Sequence, residues 1–328
     1  MLAIGSALAV AAAACVAAWP RGSQSPTLFV PRREIRAAAP VSLGHDPGPI
    51  GRHCDLGMRA GSLHRSYSPG GKAMTTDITR QIGRIWDEDA ANYDRSHSPQ
   101  TPPHVRAAWR ATLRRLLPDP PVSVLDAGAG TGFVSLMLAD LGYQVTAIDL
   151  SAQMLAVLRS KADHLGLNIR SLQADVAHPP SDERFDAVVE RDLIWTLPEP
   201  DAALVAWRKA APAGRLVLIE GSWGKKTSGV SALQARARGL KARARGLERR
   251  IQGVKPNQHD NYPENVVRAL PYVNGILPAE AVCLAENSPW GPARFEWLSD
   301  VERAILSDRS PLFQLLGTTN RWAVSAGS

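Results

Sequence analysis

Between Ser123 and Trp223 the chain alternates two kinds of apolar pattern. Short β-prone runs, SVLD (123–126), YQVTAIDLS (143–151), NIRSLQAD (168–175), RFDAVVERD (184–192) and GRLVLIEGSW (214–223), are separated by stretches of helical period. Those stretches are Phe133–Leu141, Ala152–His164 and Pro200–Ala211. Repeated strand–helix alternation predicts a doubly wound α/β fold, a mostly parallel sheet with helices on both faces. Loops at the carboxyl ends of such strands form a ligand crevice. Ahead of this region the text from Met74 to Asp94 is helix-patterned, with Trp86, Ala90 and Tyr93 on one face at i, i+4 and i+7. Behind it, Leu233, Ala237, Leu240, Ala244, Leu247, Ile251 and Val254 form a single apolar stripe, with arginines on the other faces. Gly239 and Gly246 each weaken that helix by about 1 kcal/mol, so it depends on packing against the body.

The ends of the chain have a different texture. Met1–Trp19 is apolar but mostly alanine, with no basic residue before it, and residues 20–73 are rich in Pro, Gly, Ser and Arg without sustained period. Three readings compete for the first segment: a signal peptide, a membrane anchor, or a start that lies at Met74 in fact. The last is favoured, with residues 1–73 a disordered or mis-assigned extension and a cytoplasmic location. The expected organisation is then a cofactor-binding core with a lid helix at 74–222, a basic helical cap at 223–290 and closing strands at 291–328.

Charge supports that division. The net charge is +7, but residues 1–73 hold 8 Lys/Arg against 3 Asp/Glu, and residues 225–255 hold 10 against Glu248 alone. The remaining 20 basic and 27 acidic groups leave the body at −7. A general polyanion-binding surface is not supported. Three separated cysteines, Cys15, Cys54 and Cys283, without a CxxC, argue against a disulfide framework or structural zinc. No metal is expected.

The chemistry begins at VLDAGAGTGFVSL (124–136), where a strand runs into Gly128, Gly130 and Gly132 and then a helix. Glycines serve where backbone turns sharply or a ligand must come closer than a Cβ allows, and the new helix offers free N–H groups. A P-loop would need GxxxxGK and a following Ser or Thr, and there is no lysine. A dinucleotide fingerprint would put its third glycine at 133, where Phe133 stands. Asp149 at the tip of the second strand can accept both hydroxyls of a ribose, which NAD and S-adenosylmethionine share. Asp175 after the third strand can accept from an adenine amino group, with Leu150 and Val176 on either side of the ring. The bland reading of each is a turn glycine or a helix-terminal carboxylate.

Taken in order, these segments resemble the class I S-adenosylmethionine-dependent methyltransferases, small-molecule type, of the ubiquinone and menaquinone biosynthesis kind. The resemblance covers about residues 80–222, and 257–328 more weakly. It implies a seven-stranded sheet with an antiparallel last strand, ARFEWLS (293–299) and RWAVSAG (321–327) supplying the closing strands. It implies S-adenosylmethionine as cofactor, held by Asp126, Gly128, Gly130, Gly132, Asp149, Leu150, Met154, Asp175, Val176 and Glu190, with Tyr93 on a covering helix.

Methyl transfer from a sulfonium needs positioning more than a strong base. The acceptor motifs of base-amino enzymes (Asp/Asn-Pro-Pro-Tyr/Phe after the fourth strand) and of cytosine-C5 enzymes (Pro-Cys) are absent, and only Cys283 lies beyond the glycine loop. Trp86, Arg191, Trp195 and Tyr262 are the candidates for an acceptor pocket, and the acceptor is read as a small apolar or aromatic metabolite. Glu190, Asp192 and His259 are candidate bases, although helix capping is the commoner role for a residue placed like Asp192. Two rivals stay open: an RNA methyltransferase using the Arg-rich helix 232–255, and a non-catalytic cofactor-binding protein. A homodimer also stays open.

Overall fold

The structure, a computed structural model, describes residues 69–97, 101–180, 182–221, 262–307 and 320–328, all within the compact unit 54–328. The Arg-rich stretch 232–255, His259 and the segment 1–68 lie outside the described residues. In chain order the elements are α1 (Pro69–His97), α2 (Pro103–Leu116), β1 (Ser123–Ala127), α3 (Phe133–Asp140), β2 (Gln144–Asp149), α4 (Ala152–Leu165), β3 (Ile169–Gln173) and β4 (Ala187–Arg191). A 3₁₀ turn (Ile194–Thr196) follows, then α5 (Pro200–Ala210), β5 (Arg215–Gly221), α6 (Glu264–Ala269), α7 (Pro278–Glu286), β6 (Ala293–Trp297), α8 (Ser299–Ser307) and β7 (Arg321–Gly327).

The seven strands lie in the order β3-β2-β1-β4-β5-β7-β6. All pairs from β3 to β5 are parallel, and β7 runs antiparallel to both β5 and β6. This is the doubly wound α/β fold that the alternation predicts. Strand order reverses between β1 and β4, so the crossovers diverge there and leave a crevice at the carboxyl ends.

The alternation of side chains across the sheet builds two cores. Leu125, Val188, Leu216, Leu218, Trp322 and Val324 point to the face covered by α5 and α7. Val124, Ala187, Val189, Val217, Ile219 and Ala323 point to the face covered by α2, α3 and α8. Buried on both faces, the central strands read as continuous apolar text, as β5 does in LVLI. Two indoles act as struts on the first face: Trp207 of α5 donates to the Val176 carbonyl (2.8 Å) and Trp290 to that of Leu204 (2.9 Å). On the second face, Arg115 of α2 reaches Glu296 of β6 and Asp300 of α8, which also accepts from Thr112.

Three expected boundaries move. Helix α1 begins at Pro69, five residues ahead of Met74, so the division at 73/74 falls inside a helix. Gly70 and Gly71 hide that first turn from propensity, whereas a proline at the first helical position suits it. The segment 293–299 is strand only to Trp297, and Ser299 opens α8. The 223–290 cap boundary runs past α7, whose Ala281, Leu284 and Ala285 pack in the sheet's own core. Helix α6 does cover α1: Val266 and Leu270 close a cluster with Ile78 and Ile82. Among the described residues no helix is long and apolar enough to cross a membrane.

The Trp207 strut ties α5 to the end of β3, beside the crevice. Trp207→Phe leaves the Val176 carbonyl without its donor and is expected to cost about 1–3 kcal/mol in urea unfolding. Trp207→Ala, which also empties a fully buried site, is expected to cost about 3–5 kcal/mol.

Candidate functional site

The crevice is built around the glycine loop after β1. All three glycines have positive φ (71°, 54° and 88°), yet each serves a different end. A Cβ on Gly128 would come within 2.6 Å of Leu193, so its smallness lets the loop after β4 lie against the loop after β1. A Cβ on Gly132 would meet Leu158 at 2.7 Å, so this glycine lets α3 pack closely on α4. A Cβ on Gly130 would meet nothing within 4 Å, because the residue faces the open crevice. The loop is pinned to β2 by Gly128 and Ala129 donating to the Ile148 carbonyl (2.9 and 3.0 Å).

Carboxylates stand at the strand tips. Asp126, buried at the end of β1, accepts a short hydrogen bond from the Ser135 hydroxyl in the first turn of α3. Asp149, at the end of β2, accepts from Gly130 N through one oxygen and from Ser151 N through the other, both at 2.8 Å. Burial pushes both carboxyls up to about 6, against the lowering effect of these hydrogen bonds. Asp175 accepts from Ala177 N (2.9 Å), and its other oxygen lies 3.4 Å from His178.

Beyond these tips lies a cavity of about 740 Å³ with its mouth included. Its lining brings together Gly128, Gly130, Asp149, Leu150, Met154, Asp175 and Val176 on one side and Arg191, Asp192, Leu193, Thr196, Leu197 and Pro198 on the other. Thr79, Ile82, Trp86 and Tyr93 of α1 form its roof. A smaller adjoining hollow follows the glycine loop past Asp126, Thr131 and Phe133, and it shares Tyr93 and Arg191 with the main cavity.

Arg191 occupies the junction. Its guanidinium lies 4.1 Å from the Phe133 ring centroid and 5.5 Å from that of Trp109, and it pairs with Asp192 at 3.0 Å. Its buried Nε has no hydrogen-bond partner among the described residues. Asp192 is held from the other side by Arg321 of β7 (3.4 Å) and sits at φ 58°, a left-handed conformation that costs a non-glycine residue about 1 kcal/mol or more. Tyr93 has its hydroxyl pKa raised by burial, with Arg191 and Arg321 opposing and Asp192 and Asp149 adding to the rise.

Several expected site residues stand elsewhere. Glu190 does not line the cavity. It is fully buried and accepts from Leu193 N (3.0 Å) and Ile219 N (3.1 Å), so it shapes the loop after β4 instead of contacting a ligand or serving as a base. Glu220 beside it holds the Ile194 amide (3.0 Å). Burial, with Glu220 beside Glu190 and Asp192 beside Glu220, raises both carboxyls well above the usual range. Asp192 caps no helix with its side chain, because two arginines take it. Trp195 and Tyr262 form a second layer behind the cavity. Their rings stack at 5.8 Å, Trp195 donates to the Asp192 carbonyl (2.7 Å), and the Tyr262 hydroxyl pairs with Thr196 (2.7 Å). Trp86 meets Tyr93 and Trp195 edge-on, at 5.6 and 6.1 Å. Gly132 lies outside the main cavity's lining, for the packing reason above. Sequence reasoning missed Thr79 and Ile82, although they share the helical face of Trp86 and Tyr93 at spacings of three, four and seven. It also missed Phe133, Leu193, Leu197 and Pro198, which carry no signal outside the fold.

Comparison with known proteins adds a family. A model described as "Methyltransferase domain" matches residues 124–213. The demethylmenaquinone methyltransferase of Thermus thermophilus is 39% identical over 117 residues, 34% of this chain and 53% of that protein. The demethylmenaquinone methyltransferase of Clavibacter sepedonicus is 32% identical over 153 residues, 45% of this chain and 62% of that protein. The ubiquinone biosynthesis O-methyltransferase of Xanthomonas euvesicatoria is 32% identical over 144 residues, 41% of this chain and 55% of that protein. The chain thus spans about half the length of the curated relatives it matches. Through these relatives and its seven-stranded sheet, the chain is a member of the class I methyltransferase superfamily, whose cofactor is S-adenosylmethionine.

Proposed function

We propose that the protein transfers a methyl group from S-adenosylmethionine to an oxygen, nitrogen or carbon of a small apolar or aromatic metabolite. The observation that carries this reading is the cradle at Gly130. Its backbone opens into the cavity at the start of α3 while its amide grips Asp149, so a nucleoside can lie against bare backbone with a carboxylate beside it.

The residues present suit the cofactor along its length. Asp149 already accepts the Gly130 and Ser151 amides, one through each oxygen, and the roughly four acceptor positions of a carboxylate leave capacity for a ribose hydroxyl. Asp175 retains an acceptor for an amino group, and Leu150, Met154 and Val176 are apolar surfaces for a flat ring. Arg191, expected above at the acceptor, instead suits the cofactor's amino-acid carboxylate. It borders the glycine-loop hollow, and its buried Nε lacks an acceptor among the described residues. Left for the acceptor are Ile82, Trp86, Leu193, Leu197 and Pro198, with the Thr79 and Thr196 hydroxyls.

The cofactor supplies an activated methyl on a positively charged sulfur. The chain's contribution is to orient the acceptor in line with it and to exclude water, which Trp86 and Tyr93 on α1 and the apolar loop after β4 are placed to do. An O–H or N–H acceptor also gives up a proton, and Asp192 is the carboxylate on the acceptor side of the lining.

Incubation of the full chain with methyl-labelled S-adenosylmethionine and a mixed metabolite extract, beside an RNA fraction, tests the reading. Label is expected in the low-mass fraction. Label in RNA, or tight cofactor binding with no labelled product from any pool, overturns it. Asp149 hydroxyl recognition favours the ionised carboxylate, so affinity for S-adenosylhomocysteine is expected to be full above pH 7. Below about pH 6 it should weaken toward tenfold per pH unit, as one-proton linkage requires. Asp149→Asn should bind weakly at all pH and lose that slope in calorimetry, any remainder belonging to Asp126. Arg191→Met is expected to weaken S-adenosylhomocysteine about 10- to 100-fold, the worth of a hydrogen bond to a charged group. It should leave methylthioadenosine, which lacks the amino-acid end, unchanged.

A further inference from the structure

The cofactor-side carboxylate is connected to the roof helix by a residue that touches neither cavity. Asp87 lies on α1, and its Oδ1 accepts both the Ser151 hydroxyl (2.6 Å) and the Gln153 amide (3.1 Å) at the start of α4. Ser151 is fully buried, and its own amide donates to Asp149 Oδ1. The other Asp149 oxygen takes the Gly130 amide. One unbroken series therefore runs from α1 through Ser151 and Asp149 to the glycine loop. One turn before Asp87, Gly83 lies against Leu150: a Cβ there would be in ordinary contact with the Leu150 Cβ (3.6 Å) and carbonyl oxygen (3.8 Å). Leu150 lines the cavity, as do Thr79, Ile82, Trp86 and Tyr93 from the same helix.

Asp87 itself has no ligand to hold. Its position has a different consequence. Two hydrogen bonds to a carboxylate near an α4 N-terminus favour the docked state of α1, and they act on the segment that carries Asp149 and Leu150. Anything that orders Asp149 and Leu150 therefore also orders the ground on which α1 sits.

We propose that Asp87 is a positioning residue for the cofactor, a latch that makes docking of α1 and capture of the adenosine moiety one coupled equilibrium. The proposal rests on the reading of the cavity as an S-adenosylmethionine site. Coupling of this kind is reciprocal: whatever factor α1 docking adds to cofactor affinity, the cofactor adds to α1 docking. A residue that only glued α1 to α4 would change stability and leave the coupling untouched.

The test uses the full chain, S-adenosylhomocysteine as probe, calorimetry for affinity and amide hydrogen exchange over residues 76–93. In the wild type the probe should bind and slow exchange in α1. In Asp87→Ala, α1 should exchange faster without probe and return to the wild-type level at saturation. Affinity should fall about tenfold, within the usual range of site–site coupling. Ser151→Ala should do the same, and the double variant should be no worse than either alone. Where Asp87→Ala does not fold, Asp87→Asn, which keeps one acceptor oxygen and loses the charge, should give a smaller loss in the same direction. Absence of wild-type binding overturns the underlying reading of the cavity. Wild-type binding with affinity within twofold in Asp87→Ala, or a loss of affinity without faster α1 exchange, overturns the latch.

Discussion

Carboxyl groups taken out of water need hydrogen-bond partners, and one that stays ionised without them costs several kcal/mol. The site is organised by that demand. Four acidic side chains stand at the carboxyl ends of β1, β2, β4 and β5, and each is answered by a loop bordering the crevice. Asp126 draws Ser135 at the head of α3, and Asp149 draws the amides of Gly130 and Ser151. Glu190 draws Leu193, and Glu220 draws Ile194. The loops are thus shaped by acids below them as much as by apolar packing around them.

The same demand explains the charge arrangement at the mouth of β4. Asp192 is placed in a strained backbone conformation and is held between Arg191 and Arg321. Arg191 in turn lies over the Phe133 ring, which fills the position where a dinucleotide site would need glycine. The departure from GxGxxG is therefore a feature with its own use: the aromatic face supports a guanidinium beside the glycine loop. Close packing of α3 is supplied one residue earlier, by Gly132 against Leu158.

Apolar and polar halves of the crevice come from different elements. The polar tips belong to β1, β2 and β3, where parallel pairing sets them side by side. The apolar wall belongs to α1 and the loop after β4, backed by the stacked Trp195 and Tyr262. In the proposed reaction the first half holds the donor and the second excludes water from the transfer. α1 joins the two because it roofs one and is fastened to the other.

Much of this was legible in the chain. Alternating strand and helix periods, with Gly128, Gly130, Asp149 and Asp175 at successive strand ends, carry the sheet and the strand-end wall of the cavity, because both depend on local spacing and on what a backbone turn permits. The roof face of α1 was half legible: Trp86 and Tyr93 were read, while Thr79 and Ile82 on the same face were not. What the chain could not disclose was which acids line the cavity and which are buried among the protein's own amides. Glu190 stands near the end of a strand as Asp149 does, yet the pairing of β4 with β5 brings Ile219 N to it and buries it. Asp87 reads as one acid among several on α1 until α4 lies beside it. Local sequence determines where a carboxylate can stand, and the partners that decide its role arrive from residues 29 or 64 positions away, through folding alone.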